Sequence, residues 1–248
     1  MREYPEPGVY DVLHAPGTAA EVDGLQRIAA RWVGAKATTW LEPACGTGRY
    51  LRVASRRGIR CIGFDRDPAM VAYARRGGDP FRVVVAEMTG FAPALGRARA
   101  DFAFNLHNTI RHLPSDAAML AHFSEMARVL RGGVYAVGLS LTRYGAEEPE
   151  EDVWEGRRGR MRVQQLVQYL PPPGRGRFER VVSHVRIERP AGVTQHDSTY
   201  DLRCYDLAQW RRLVARSPFR IVATVNGAGA TIERGHVPYG IEILKVST

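Results

Sequence analysis

The chain has 248 residues, 45% of them apolar and 25% charged, which is ordinary for a soluble globular protein and too apolar for disorder. Lys and Arg outnumber Asp and Glu by 35 to 26, a net charge of +9, but the only lysines are Lys36 and Lys245 and no run of arginines exceeds two, so the excess reads as composition rather than a nucleic-acid face. No stretch of 18 apolar residues argues for a membrane span, residues 1–17 lack the apolar core of a signal peptide, and Cys45, Cys61 and Cys204 form no CxxC pair, so a reducing cytoplasm is expected, with neither disulfide framework nor zinc site.

In chain order, residues 18–33 place apolar side chains at helical spacing behind a capping Thr18. TTWLEP then reads as a strand that breaks into a glycine turn and a helix. CIGFD (61–65) reads as a buried strand, and residues 68–76 as a helix with proline in its first turn. Further strands are expected at 81–87 and within 98–106, a capped helix at 115–133 that stops at glycine, and a fifth strand at 134–141. Strands and helices alternating at this length argue for a parallel sheet covered on both faces. The pattern then changes. Residues 146–160 are charged and glycine-rich without apolar period, and 161–170, 177–189 and 196–205 read as three extended segments joined by hairpin signals. A helix (206–217) and two strands (219–225, 239–246) close the chain. The organisation predicted is a core of residues 1–146 and 206–248 with an antiparallel β insertion, or lid, at 147–205.

The most informative segment is Leu41-Glu42-Pro43-Ala44-Cys45-Gly46-Thr47-Gly48-Arg49-Tyr50. Small residues between a strand and a helix let the backbone approach a ligand, and free N–H groups at a helix start favour an anionic group. Asp65 follows Gly48 by 17 residues, at the end of the next strand, where a carboxylate can accept hydrogen bonds from ribose hydroxyls. The dehydrogenase pattern G-x-G-x-x-G fits poorly, because Tyr50 and Leu51 stand where its third small residue belongs.

EPACGTGRYL instead resembles the first motif of the class I S-adenosylmethionine-dependent methyltransferases, with Ala44 in place of the first glycine. GFDRDPAMVAYAR, AEMTGF, DFAFNLHNTIRHL and VLRGGVYAV resemble their later motifs, in the same order. The resemblance implies a Rossmann-like, seven-stranded, mostly parallel sheet with helices on both faces and an antiparallel β insertion. It implies that Gly46 and Gly48 pass under the methionine part of S-adenosyl-L-methionine, with Ala44 in the same turn and Glu42 fixing the loop or the amino group. Asp65 would hold the ribose, with Arg66 beside it and Asp67 capping the next helix. Met70 would pack on the adenine, Glu87 would read its amino group, the Met88 N–H would meet its ring, and Leu106 would line the sulfonium through its backbone. Tyr10 resembles an N-terminal tyrosine that closes over the cofactor, the other reading being a packed surface residue.

Asn108-Thr109-Ile110-Arg111-His112-Leu113 resembles the N-S-x-x-H-L of glycine and amino-sugar N-methyltransferase-like enzymes, and Arg203-Cys204-Tyr205 their R-x-Y. These imply methyl transfer by in-line displacement to a small-molecule acceptor, nitrogen favoured over oxygen, with His107, Asn108, Arg111 and Tyr205 on the acceptor side. Arg111 could grip an anionic acceptor by its fork. No metal site is expected, because no catechol-type ligand set is visible, and the lack of an N/D-P-P-Y/F tetrapeptide argues against nucleic-acid acceptors. His112 reads as a structural histidine, Trp154 as a lid aromatic or a fold anchor, and His184, His196 and His236 as surface residues. Arg157, Arg158, Arg160, Arg162, Arg175, Arg177 and Arg180 read as a mixed-charge lid, the alternative being a cationic rim. An RNA or protein methyltransferase and a non-catalytic cofactor-binding partner protein stand as rival readings; monomer and homodimer are both open.

Overall fold

The computed structural model describes residues 4–233 and 238–247; His236 lies outside them. Helix α1 (Pro7–His14) starts on a proline at its first position and is followed by α2 (Thr18–Trp32). The core then alternates as expected: β1 (Thr39–Pro43), α3 (Arg49–Arg56), β2 (Arg60–Asp65), α4 (Pro68–Arg75), β3 (Phe81–Val85), a short α5 (Ala92–Leu95), β4 (Ala100–Asn105), α6 (Asp116–Val129) and β5 (Leu130–Ser140). Four strands follow, β6 (Glu150–Arg158), β7 (Met161–Leu170), β8 (Phe178–Arg189) and β9 (Gly192–Arg203), and the chain closes with α7 (Leu207–Ala215), β10 (Phe219–Val225) and β11 (Tyr239–Val246).

The strands form a seven-stranded sheet in the order β10-β11-β5-β4-β1-β2-β3, in which β11 runs antiparallel to both neighbours, and a separate four-stranded antiparallel sheet β6-β7-β8-β9. The large sheet is covered on both faces. One face carries Phe91, Phe123, Met126 and Trp210 and the other Val22, Leu25, Ile28, Tyr50, Leu51 and Val71. β1 is buried at every position, with Trp40 and Leu41 flanked by the polar Thr39 and Glu42. Helix α1 packs away from this core: Val9, Val12 and Leu13 bury against Val163, Val185 and Ile187 of the small sheet. Among the described residues no helix is long and apolar enough to cross a membrane.

Three expectations are corrected. The helix expected to reach residue 133 ends at Val129, because Leu130 turns to extended backbone and pairs with Ala100. Gly133 lets β5 in: a Cβ there would stand 1.9 Å from the Asp101 carbonyl oxygen. The segment read as aperiodic contains strand β6, which hydrogen-bonds only β7 within its sheet and leaves nearly all its side chains exposed, so no alternation marks it. The last insert strand begins at Gly192 rather than at 196, its tight hairpin pairing Arg189 with Gly192.

Candidate active site

The glycine turn sits at the carboxyl edge of β1, where open α/β sheets bind ligands. Ala44, Gly46 and Gly48 all adopt positive φ (+51°, +53° and +70°), and Gly48 caps α3. A Cβ on Gly48 would press on the Phe81 ring at 3.2 Å, so both conformation and space require glycine there. Asp65 locks the turn to the end of β2. Its Oδ2 accepts from the Gly46 N–H (2.8 Å) and its Oδ1 from the Asp67 N–H (2.8 Å). Asp67 in turn caps α4, accepting from the Ala69 N–H at 2.8 Å. Burial, with the Asp67 charge adding to it, raises the Asp65 pKa above the usual aspartate value.

Two buried acceptors at the ends of β1 and β4 have no donor among the described residues. One is Glu42 Oε2, on a carboxyl whose pKa burial pushes well up. The other is Asn105 Oδ1, on an amide whose Nδ2 donates to the Pro43 carbonyl at 2.9 Å. Buried acceptors without donors are costly. A ligand ammonium beside the glycine turn would satisfy them, so these residues fit the amino-acid end of S-adenosylmethionine. The ring of Tyr10 lies over the turn, 3.6 Å from where a Gly46 Cβ would stand.

Asp11, one residue on, joins four elements. It accepts from Thr47 Oγ1 (2.9 Å), Arg158 Nη2 of the small sheet (2.6 Å) and the Tyr73 hydroxyl of α4 (3.2 Å), and faces Arg52. Burial works to raise its pKa, but the bonds from Arg158 and Thr47 prevail and hold it below the usual value. Trp154 is a partly exposed anchor: its ring meets His14 edge-on, centroids 4.7 Å apart, joining the small sheet to the Tyr10–His14 pair of α1.

The most connected group was not foreseen as a unit. Glu21 of α2, Arg49 and Tyr50 of α3, and His107 after β4 meet beside the turn. Arg49 donates to Glu21, to Thr18 Oγ1 (2.8 Å) and to the Tyr50 hydroxyl (2.6 Å). His107 Nε2 stands 2.8 Å from both the Tyr50 hydroxyl and Glu21 Oε1. Burial opposes the charge on Glu21, but the bonds from His107 and Arg49 hold its pKa down at about 2. His107 has φ +53°, its N–H donates to the Tyr239 hydroxyl (3.1 Å), and its ring is about half exposed. Only the position of Arg49-Tyr50 directly after the glycine turn hinted at this group; Glu21 carried no local signal.

The other expected residues separate. Asn108 staples its loop to β5, its Oδ1 accepting from the Ser140 N–H at 2.6 Å. Leu106 is partly buried, its carbonyl accepting from Thr109 N. Met70 and Met88 are partly buried, while Arg66 and Glu87 are exposed along the same edge of the sheet. Tyr205, expected on the acceptor side, stands outside the residues that line the cleft between the core and the small sheet. Only 1% exposed, it lies under the Arg177 guanidinium, with its hydroxyl bound to Arg203 at 3.0 Å, and braces the joint between core and insert. Arg111 is buried as well; its Nη2 donates to Glu179 (2.8 Å) and its Nε to the Arg203 carbonyl (2.9 Å). His112 stacks on Tyr200.

Between the core and the small sheet lies a cleft of about 1390 Å³. Its walls include Glu147, Glu148, Glu150, Asp152, Glu179 and Asp206 against Arg111, Arg143 and Arg175, with Asn108, Tyr144 and Tyr239 among the uncharged groups. The insert arginines form no uninterrupted cationic rim, because Arg158, Arg162, Arg177 and Arg180 pair with Asp11, Glu155, Asp116 and Asp201.

Residues 41–133 match a protein family described as a methyltransferase domain. No curated protein matches the sequence. Among solved structures, an S-adenosylmethionine-dependent methyltransferase from Clostridium acetobutylicum superposes with a TM-score of 0.77 at 12% identity, over 97% of each chain. The sugar N-methyltransferase KedS8 from Streptoalloteichus superposes at 0.72 with 21% identity, over 93% of this chain and 89% of that one. The amino pentose methyltransferase CalS10 from Micromonospora echinaspora, solved with S-adenosylmethionine bound, gives 0.68 at 21% identity, over 92% and 90%. Residues 41–133 thus carry a methyltransferase domain, and the chain as a whole has the fold of these solved methyltransferases.

Three histidines held neutral give the fold an acid sensitivity. Burial, with Arg49 and His107 nearby, lowers His14 to about 3; burial with Arg66 and Arg111 lowers His112 to about 4; burial alone lowers His122 to about 4. Between these values and the ordinary 6.5 the unfolded chain binds more protons than the folded one, so stability falls as pH falls through this window. Urea midpoints are expected to drop from pH 7 to pH 5 by on the order of 1–2 kcal/mol of stability per imidazole; equal midpoints would refute the neutral assignments.

Proposed function

We propose that the chain is an S-adenosylmethionine-dependent methyltransferase that methylates the nitrogen of a small, positively charged amine, with His107 taking the proton. The carboxylate excess of the cleft carries this reading. Six acidic residues face three arginines there, and one of those arginines, Arg111, is already met by Glu179. Such a surface attracts an ammonium and repels an anion, which turns the expectation of an anionic acceptor around. The neighbours described as an amino pentose methyltransferase and a sugar N-methyltransferase support an amine carried on a sugar.

When bound, S-adenosylmethionine supplies a methyl carbon activated by its positive sulfur. In this reading the turn at Ala44, Gly46 and Gly48, with Tyr10 above it, holds the amino-acid end, where Glu42 and Asn105 offer their free acceptors to the ammonium. Asp65 holds the ribose with Arg66 alongside, Met70, Glu87 and Met88 hold the adenine, and Leu106 borders the sulfur. Residues 147–205 act as a lid over the core of 1–146 and 206–248. An alkylammonium has no lone pair, so it must lose a proton before it attacks. His107 is half exposed, and Glu21 at 2.8 Å both orients its ring and stabilises the imidazolium that forms. Asn108 and Arg111 hold the loop that carries it.

His107→Ala is expected to lower kcat by ~100-fold with a strongly basic amine, and far less with an amine already neutral at the assay pH. Equal losses with both amines would remove His107 from proton transfer. The acceptor class is tested by initial rates of S-adenosylhomocysteine release with amino sugars and their hydroxy and carboxy counterparts. Turnover confined to the amines is expected; turnover confined to either counterpart would overturn the reading.

A further inference from the structure

Deep on the far side of the sheet, His122 of α6 is fully buried and makes two hydrogen bonds. Its Nδ1 lies 2.9 Å from the Met88 carbonyl oxygen and its Nε2 lies 2.9 Å from the Tyr135 hydroxyl of β5. A carbonyl only accepts, so the proton sits on Nδ1 and Nε2 accepts from Tyr135; the chain of donors fixes one neutral tautomer and one ring orientation. The other end of the same loop is held from the same helix, where Glu125 Oε2 accepts from the Ala92 N–H at 2.9 Å. Between these anchors, Phe91 is buried and stacks on Phe64, centroids 4.4 Å apart. Helix α6 therefore holds residues 88–92 at both ends, with Phe64 of β2 holding the middle, although neither His122 nor Tyr135 lies in the cleft or the glycine turn.

We infer that His122, oriented by Tyr135, is a positioning residue that sets the height of the Met88 peptide and so tunes the recognition of adenine. The inference rests on the proposed reading of adenine by Glu87 and the Met88 N–H. The tethered Met88 carbonyl fixes the Met88 Cα, which also carries the Met88 N–H, and Glu87 is joined to that N–H by the preceding peptide. Loss of the tether leaves the Met88 carbonyl buried without a donor, and the loop must shift to rehydrate it.

The test measures affinity for S-adenosylhomocysteine and for its inosine counterpart, in which the adenine amino group is replaced by oxygen. The proteins are the wild type, Glu87→Ala, His122→Leu, His122→Asn and Tyr135→Phe, with thermal unfolding followed in parallel. The wild type and Glu87→Ala report on the underlying reading: a preference for the adenosine form that Glu87→Ala abolishes supports it, and an unchanged preference refutes it. Given that preference, His122→Leu is expected to weaken the adenosine form by ~10-fold, about one lost hydrogen bond, with little change for the inosine form. His122→Asn, whose amide nitrogen takes the place of Nδ1, is expected to recover most of the loss, and Tyr135→Phe to fall between. Should His122→Leu fail to fold, the last two variants still decide. A preference unchanged in all folded variants, or lost equally in His122→Asn and His122→Leu, would overturn the inference whatever their melting temperatures.

Discussion

Asp65→Ala is expected to weaken S-adenosylhomocysteine binding by ~100-fold or more, measured by equilibrium dialysis. Its carboxylate receives the Gly46 and Asp67 N–H groups at 2.8 Å each, so it ties the glycine turn to the start of α4. A hydrogen bond to a charged group contributes about 1.5–3 kcal/mol, and every 1.4 kcal/mol is tenfold in affinity. Losing two such bonds frees a turn in which Ala44 and Gly46 already hold positive φ, and that turn must then be ordered at the expense of binding energy. Asp65→Asn keeps an acceptor for one of the two donors and is expected to lose less. Affinity unchanged in Asp65→Ala would mean that the carboxylate neither orders the turn nor meets the cofactor.

The largest stability effect is expected at Arg111. This guanidinium is 3% exposed and donates to Glu179, which is 17% exposed, across the joint between the core and the small sheet. Burial pushes the Glu179 pKa up against the pull of Arg111. Removing one member of a buried pair leaves the other charge uncompensated, typically at a cost of about 3–5 kcal/mol. Arg111→Ala should therefore lower the unfolding free energy by about that amount in urea titrations, and adding Glu179→Gln should return part of it. A stability loss under 1 kcal/mol would show the pair to be dispensable to the joint.

The glycine turn and its partners were legible in the sequence because their signals are local. Gly46 and Gly48 are fixed by backbone conformation, and Asp65 by its place at the end of the next strand. Asp67 was likewise legible as a helix cap from its place before Pro68. The group Glu21, Arg49, Tyr50 and His107 was not legible, because no spacing relates positions 86 residues apart that meet only when α2 packs over the end of β4. Tyr205 and Arg111 were placed by likeness to short motifs, which carry no trace of the distant partners, Arg177 and Glu179, that the fold brings to them. β6 escaped notice because an edge strand exposed along nearly all its length has no apolar rhythm to read. The charge of the cleft was hidden for a related reason. The net +9 belongs to the whole chain, whereas Glu147, Glu148, Glu150 and Asp152, from one short acidic run, all line the cleft.

The proposed reaction is nitrogen methylation of a cationic acceptor by S-adenosylmethionine. It is tested most directly by giving the enzyme cofactor labelled with carbon-13 in its methyl group, together with an equimolar pair of an amino sugar and its hydroxy counterpart, and following the label by NMR. The label is expected to appear as an N-methyl carbon on the amino sugar alone. Label appearing on oxygen, or on the hydroxy sugar in preference to the amine, would contradict it.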